Sequence, residues 1–67
     1  MLITINGKAR NLEFEQCNVT DLVTHLALTG KRLAIECNGE IIPRSQFDGT
    51  FIKNGDKLEI VGAVGGG

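Results

Sequence analysis

Basic clusters are missing from this sequence. Its Lys and Arg residues, 7 in all, are scattered among 8 Asp and Glu, for a formal net charge of -1. Such a surface offers no electrostatic footprint for nucleic acid or for an anionic membrane. Long apolar runs are missing too. The chain passes from Met1 straight into the strand-like Leu2-Ile3-Thr4-Ile5, with neither the basic region and apolar stretch of a secretory leader nor the length of a membrane span. The expectation is a cytoplasmic protein whose partners are proteins or small molecules.

Cysteine is scarce. Cys17 and Cys37 are the two present, whereas a small domain stapled in an oxidising compartment carries several at dense spacing. Both are expected as reduced thiols, Cys17 a small surface residue ahead of a helix and Cys37 a small packing residue at a strand end. There is no Cys-x-x-Cys and His25 is the single histidine, so no compact set meets the ligand count of a zinc site. Side-chain catalysis is equally short of material: His25 falls mid-helix, with no Ser, Cys or carboxylate beside it at a recognisable spacing, and reads as an exposed helix position. The lone serine, Ser45, lies between Arg44 and Gln46 and lacks the Asp-Ser-Leu setting of an acyl carrier. The glycines at Gly7, Gly39, Gly49 and Gly55 punctuate element junctions, and none opens a helix as a phosphate loop does. A chain of 67 residues buries only about 60% of its unfolded surface, which leaves little room for an internal cleft.

What is present is a regular succession of patterns. Leu2–Ile5 alternates, Asn6-Gly7 supplies a tight turn, and Leu12-Glu13-Phe14 resumes the alternation, which predicts a hairpin. Asn18 is placed to cap a helix with Asp21 three residues on, and Val19, Leu22, Val23 and Leu26 recur at helical spacing, with the helix ending near Gly30. Leu33–Cys37 alternates into Asn38-Gly39, and Ile41-Ile42 follows before Pro43 removes a backbone donor. After an irregular stretch from Arg44 to Ile52, Asn54-Gly55-Asp56 turns the chain into Leu58-Glu59-Ile60-Val61. Two hairpins around one amphipathic helix predict an α+β domain, the β-grasp (ubiquitin-like) arrangement, with a mixed sheet of four to five strands and one main helix packed on one face. The expected core is Ile3, Ile5, Leu12, Phe14, Val19, Leu22, Val23, Leu26, Leu33, Ile35, Leu58 and Ile60. The domain is expected over residues 1–61, with a tail over 62–67.

That tail is the chemically suggestive part. Gly65-Gly66-Gly67 follows Val61, Ala63 and Val64. A terminal glycine run is by composition alone a frayed end. Apolar residues and then side-chain-free residues ending in a carboxylate also make a thin arm able to enter a narrow channel of another protein.

Asn38-Gly39-Glu40-Ile41-Ile42-Pro43-Arg44, then Asn54-Gly55-Asp56, then Ile60-Val61-Gly62-Ala63-Val64-Gly65-Gly66-Gly67 resembles the sulfur carriers of thiamine biosynthesis in order, spacing and terminal glycines. The resemblance implies that an adenylating enzyme uses ATP and magnesium to activate the Gly67 carboxylate. It also implies that a cysteine desulfurase relay supplies the sulfur of a thiocarboxylate, and that thiazole synthase accepts that sulfur. The carrier catalyses nothing and binds no cofactor itself. Gly65, Gly66 and Gly67 would enter the partner's channel. Leu2, Ala34, Val61, Ala63 and Val64, on the sheet face without the helix, are candidate partner contacts, with Arg44 as a rim ion pair. Cys17 and Cys37 fall outside the motif and receive no role. The alternatives are a carrier for molybdopterin or another pathway, a modifier conjugated to lysines, and a non-covalent β-grasp binding module.

Overall fold

The computed structural model describes residues 1–62. Its first pairing is decided by one turn. Asn6 and Gly7 both hold left-handed backbone, with φ of 51° and 83°, a conformation that Asn and Gly tolerate and a two-residue hairpin requires. β1 (Leu2–Ile5) therefore folds at once onto β2 (Lys8–Asn11), with Ile5 opposite Lys8 and Leu2 opposite Asn11. This corrects the expected restart at Leu12-Glu13-Phe14. All residues of β2 are exposed along an outer edge, so no apolar alternation marks it. Leu12 extends the pairing, since its N–H donates to the Met1 carbonyl at 2.7 Å and the Met1 ammonium donates to the Leu12 carbonyl at 2.8 Å.

β3 (Cys17–Asn18) leads into α1 (Val19–His25). The Asn18 side chain accepts the Asp21 N–H at 2.7 Å, and the Asp21 carboxylate accepts the Asn18 N–H at 3.2 Å. This reciprocal capping box satisfies two donors that the first turn leaves orphaned. The far end comes about one turn before the expected stop at Gly30. Ala27 takes the left-handed conformation (φ 59°), its N–H reaching the Thr24 carbonyl while the Leu28 N–H reaches the Val23 carbonyl at 2.9 Å. That pattern is a Schellman motif, which normally places glycine where this chain has alanine.

β4 (Leu33–Cys37) and β5 (Glu40–Ile42) form the second hairpin through Asn38-Gly39. The stretch expected to be irregular contains a short 3-10 turn (Arg44–Gln46) and β6 (Phe51–Ile52), which pairs with β3, Cys17 opposite Ile52. β7 (Lys57–Gly62) runs through the middle of a five-stranded sheet of order β2-β1-β7-β4-β5, parallel to β1 and antiparallel to β4. A mixed sheet with one helix against it is the predicted arrangement. The last strand takes in Gly62, with which the expected tail begins.

Ile3, Leu22, Val19, Ile35 and Leu58 are almost wholly inaccessible. Leu12, Val23, Ile5 and Ile60 join them as expected, while Phe14, Leu26 and Leu33 pack half-buried around the margin. Ile42, Phe47 and Ile52 are also buried. So is Cys17, at 0% exposure, contrary to its reading as a surface residue: its pairing with Ile52 puts the thiol under the β3–β6 ladder. Among the described residues no helix is long and apolar enough to cross a membrane.

Candidate functional site

Successive side chains along a strand point to opposite faces, and register carries that alternation across the sheet. The helix covers the face bearing Ile3, Ile35, Leu58 and Ile60. On the other face Val61 stands opposite Ala34, and Glu59 opposite Glu36, which in turn faces Ile41 on β5. Among the described residues no helix covers this side. Val61 is 57% exposed and Ile41 71%, large apolar groups held in water on the same face, with β4 between their strands. Exposed apolar side chains gathered on one face mark a contact surface more often than singly scattered ones do.

Of the residues expected on this face, Ala34 and Val61 come together next to Gly62. Leu2 is on the same face and 53% exposed, but the parallel register of β1 and β7, with Thr4 opposite Lys57, sets it at the other end. Lys57 and Val61 are already about 13 Å apart along the strand. Arg44 is elsewhere. Its guanidinium donates to the Lys31 carbonyl at 2.8 Å, in a hollow shared with Val23, Thr24 and Phe47 on the helix side. Ile41 was not foreseen, although the hairpin held the signal: Ile35 inward and a two-residue turn force Ile42 inward and Ile41 out. Ala63, Val64, Gly65, Gly66 and Gly67 lie outside the described residues.

The thiols are poor nucleophiles. Burial, reinforced by the charge of Asp21, raises the pKa of Cys17. Burial first, then the negative charge and hydrogen bond of Asp56 and the charge of Glu40, push Cys37 up to about 11. Thiolate is the reactive form, so neither side chain is prepared for sulfur exchange near neutral pH. His25 is exposed as expected, its ring edge-on to Phe14 at 5.4 Å. Among the described residues no three His, Cys, Asp or Glu side chains group as a metal site.

With neither a reactive thiol nor a histidine pair, the described domain presents a surface beside the root of its tail. The ThiS family model matches residues 3–67. The chain belongs to the ThiS family. A crystal structure of the thiamine biosynthesis protein ThiS from Geobacter metallireducens superposes with a TM-score of 0.88 at 38% identity, over 100% of both chains. The solution structure of a thiamine biosynthesis protein from that organism gives 0.83, over 100% of this chain and 88% of the other. The β-grasp expectation is thereby borne out. Among curated relatives, a thiazole synthase of Paramagnetospirillum magneticum is 39% identical over 67 residues, 100% of this chain and 20% of the relative. This chain thus spans about a fifth of that protein. A protein designated ycf40 from Porphyra purpurea is 38% identical over 65 residues, 97% of this chain and 90% of its own length.

Proposed function

We propose that this ThiS-family chain is a sulfur carrier of thiamine biosynthesis whose working group is the carboxylate of Gly67. The observation that carries the reading is the family match, which extends through the three terminal glycines to Gly67. The surface supports it, because exposed Val61 and Ala34 flank the root of the tail and give a partner something to hold while the terminus reacts.

A carboxylate is too poor an acyl donor to exchange oxygen for sulfur unaided. A partner adenylating enzyme, using ATP and magnesium, lets a Gly67 carboxylate oxygen attack the α-phosphorus, and pyrophosphate leaves. The terminal sulfur of a persulfide, supplied by a cysteine desulfurase relay, then attacks the acyl carbon and expels AMP. Cleavage of the remaining S–S bond by a thiol leaves the thiocarboxylate. The carrier supplies the substrate atom and the docking surface, and the partners supply the catalysis. Gly65 and Gly66 keep the arm free of side chains that would meet the channel wall.

The acceptor we favour is a thiazole-forming synthase. A relative named thiazole synthase devotes about a fifth of its length to a stretch similar to this whole chain, which supports a working pair between this domain and that enzyme. Intact-protein mass spectrometry, after incubation with the organism's adenylating enzyme, ATP, magnesium and a sulfur donor, tests the reading. Exchange of one oxygen for sulfur in the C-terminal peptide, absent without ATP, is the expected result. An unmodified chain beside an active enzyme would overturn it in favour of a non-covalent binding module.

A further inference from the structure

β7 outruns its neighbour. β1 stops at Ile5, opposite Leu58, and the chain then turns through Asn6 and Gly7, with the Asn6 N–H still reaching the Leu58 carbonyl at 2.9 Å. Residues 59–62 of β7 continue beyond. Backbone groups of alternate residues point to the same edge, so Ile60 and Gly62, like Leu58, turn theirs toward the side that β1 has left.

At Ile60 that edge is occupied by a side chain. Asn6 Oδ1 accepts the Ile60 N–H at 2.7 Å, and Asn6 Nδ2 donates to the Ile60 carbonyl at 3.0 Å. A carboxamide carries the same donor and acceptor as a peptide group, so Asn6 replaces the missing next residue of β1. The turn does not require this. Asn, Asp or Gly each supplies the left-handed φ at this position, yet Gly has no side chain to offer and Asp would set a second acceptor against the Ile60 carbonyl. Asn satisfies the turn and both backbone groups of Ile60 together. Asn6 and Gly62 also line one shallow groove with Leu26 and Leu28, which puts the bond beside the point where the described strand ends.

We infer that Asn6 is a positioning residue: by holding both backbone groups of Ile60 it fixes the end of β7, and with it the direction in which residues 63–67 are presented to the activating enzyme. This rests on the proposed activation of Gly67. Without Asn6 the strand end would be held by β4 alone, and an end paired on one side opens locally more often than one held on both. Each opened conformer moves the end of the described strand from its paired position, so fewer bound complexes are aligned for attack at the terminus. The sheet face that supplies binding is untouched. The loss therefore falls on kcat and not on KM.

Asn6→Gly and Asn6→Asp, both compatible with the turn, test the inference in the full chain. Amide hydrogen exchange at Ile60 is expected to rise about tenfold in Asn6→Gly, the scale of a lost hydrogen bond, and by less in Asn6→Asp, whose carboxylate can still accept the Ile60 N–H, with the helix amides Val23 and Leu26 unchanged in both. With the organism's adenylating enzyme, kcat for pyrophosphate release should fall about tenfold while KM for the carrier stays within about twofold. Unchanged exchange at Ile60 in Asn6→Gly would overturn the clamp. Raised exchange with an unaltered kcat would overturn its part in activation. An unmodified chain that is never adenylated sinks the function reading and with it the part in activation, while the exchange measurement still decides the clamp.

Discussion

The two faces of the sheet are made by the same strands and serve opposite ends. Toward the helix, Ile3, Ile35 and Ile60 are buried, and their neighbours one residue along, Leu2, Ala34 and Val61, stand exposed on the other side. One face holds the domain together. The other keeps apolar side chains in water and sets two like charges, Glu36 and Glu59, directly across from each other, an arrangement that disfavours the folded state. A face tuned only for stability would have neither feature, and their concentration opposite the helix supports this face as the proposed docking surface.

The sharpest separation is in stability. Ile35→Ala should destabilise by about 2–5 kcal/mol, the range for truncating a buried aliphatic residue, and a domain of this size has only about 3–10 kcal/mol in total. Val61→Ala, on the neighbouring strand but facing water, should stay within about 0.5 kcal/mol. Urea unfolding of both variants gives the comparison directly. Equal losses would mean that the open face is as structural as the covered one.

Next is the tail, where stability should not respond. Gly66→Val is expected to slow adenylation about a hundredfold, equivalent to about 2.7 kcal/mol of barrier, because a β-branched side chain meets the channel wall and stiffens the arm. The urea midpoint should match the parent chain. Normal adenylation of a folded Gly66→Val protein would remove the argument for side-chain-free residues there.

Binding should then resolve the open face into two ends. Val61→Arg and Ile41→Arg are each expected to weaken affinity for the adenylating enzyme about tenfold, or about 1.4 kcal/mol. Leu2→Arg, on the same face but remote from Gly62, should change it by less than about twofold, since few interface positions carry most of the energy. Titration calorimetry reads all three. A larger effect at Leu2 would move the docking surface away from the tail.

How much of this was legible depended on whether a residue's role is written locally. Asn18 and Asp21 announce the helix start because the capping box is made of adjacent residues, and alternation from Leu33 to Cys37 gives strand and face together. The end of the helix is hidden because Ala27 does what glycine ordinarily does, while the first glycine after the helical pattern is Gly30. β2 was hidden because an exposed edge strand carries no apolar signature. Ile52 and Cys17 become core through one two-residue ladder between distant segments, and no periodicity exists over two residues; Phe47, just after a 3-10 turn, has none either. The open face could be guessed from alternation, but its division into a tail end and a remote end follows from the parallel register of β1 and β7. That register is a long-range fact.

The smallest effect bears most directly on why the open face is built as it is. Replacing Glu59 by Gln removes one of two opposed charges while keeping shape and strand position, and should stabilise the fold by about 0.2–0.5 kcal/mol at low salt. The gain should shrink as ionic strength rises, because exposed charges are screened over about 10 Å at 0.1 M salt. If the gain appears and the variant also binds the adenylating enzyme less tightly, the opposed acids serve docking at the expense of stability, as the contrast between faces requires. If stability does not change at low salt, Lys57, on the same face of β7, already offsets the repulsion. The exposed apolar side chains, Leu2, Val61 and Ile41, would then be what distinguishes this face among the described residues.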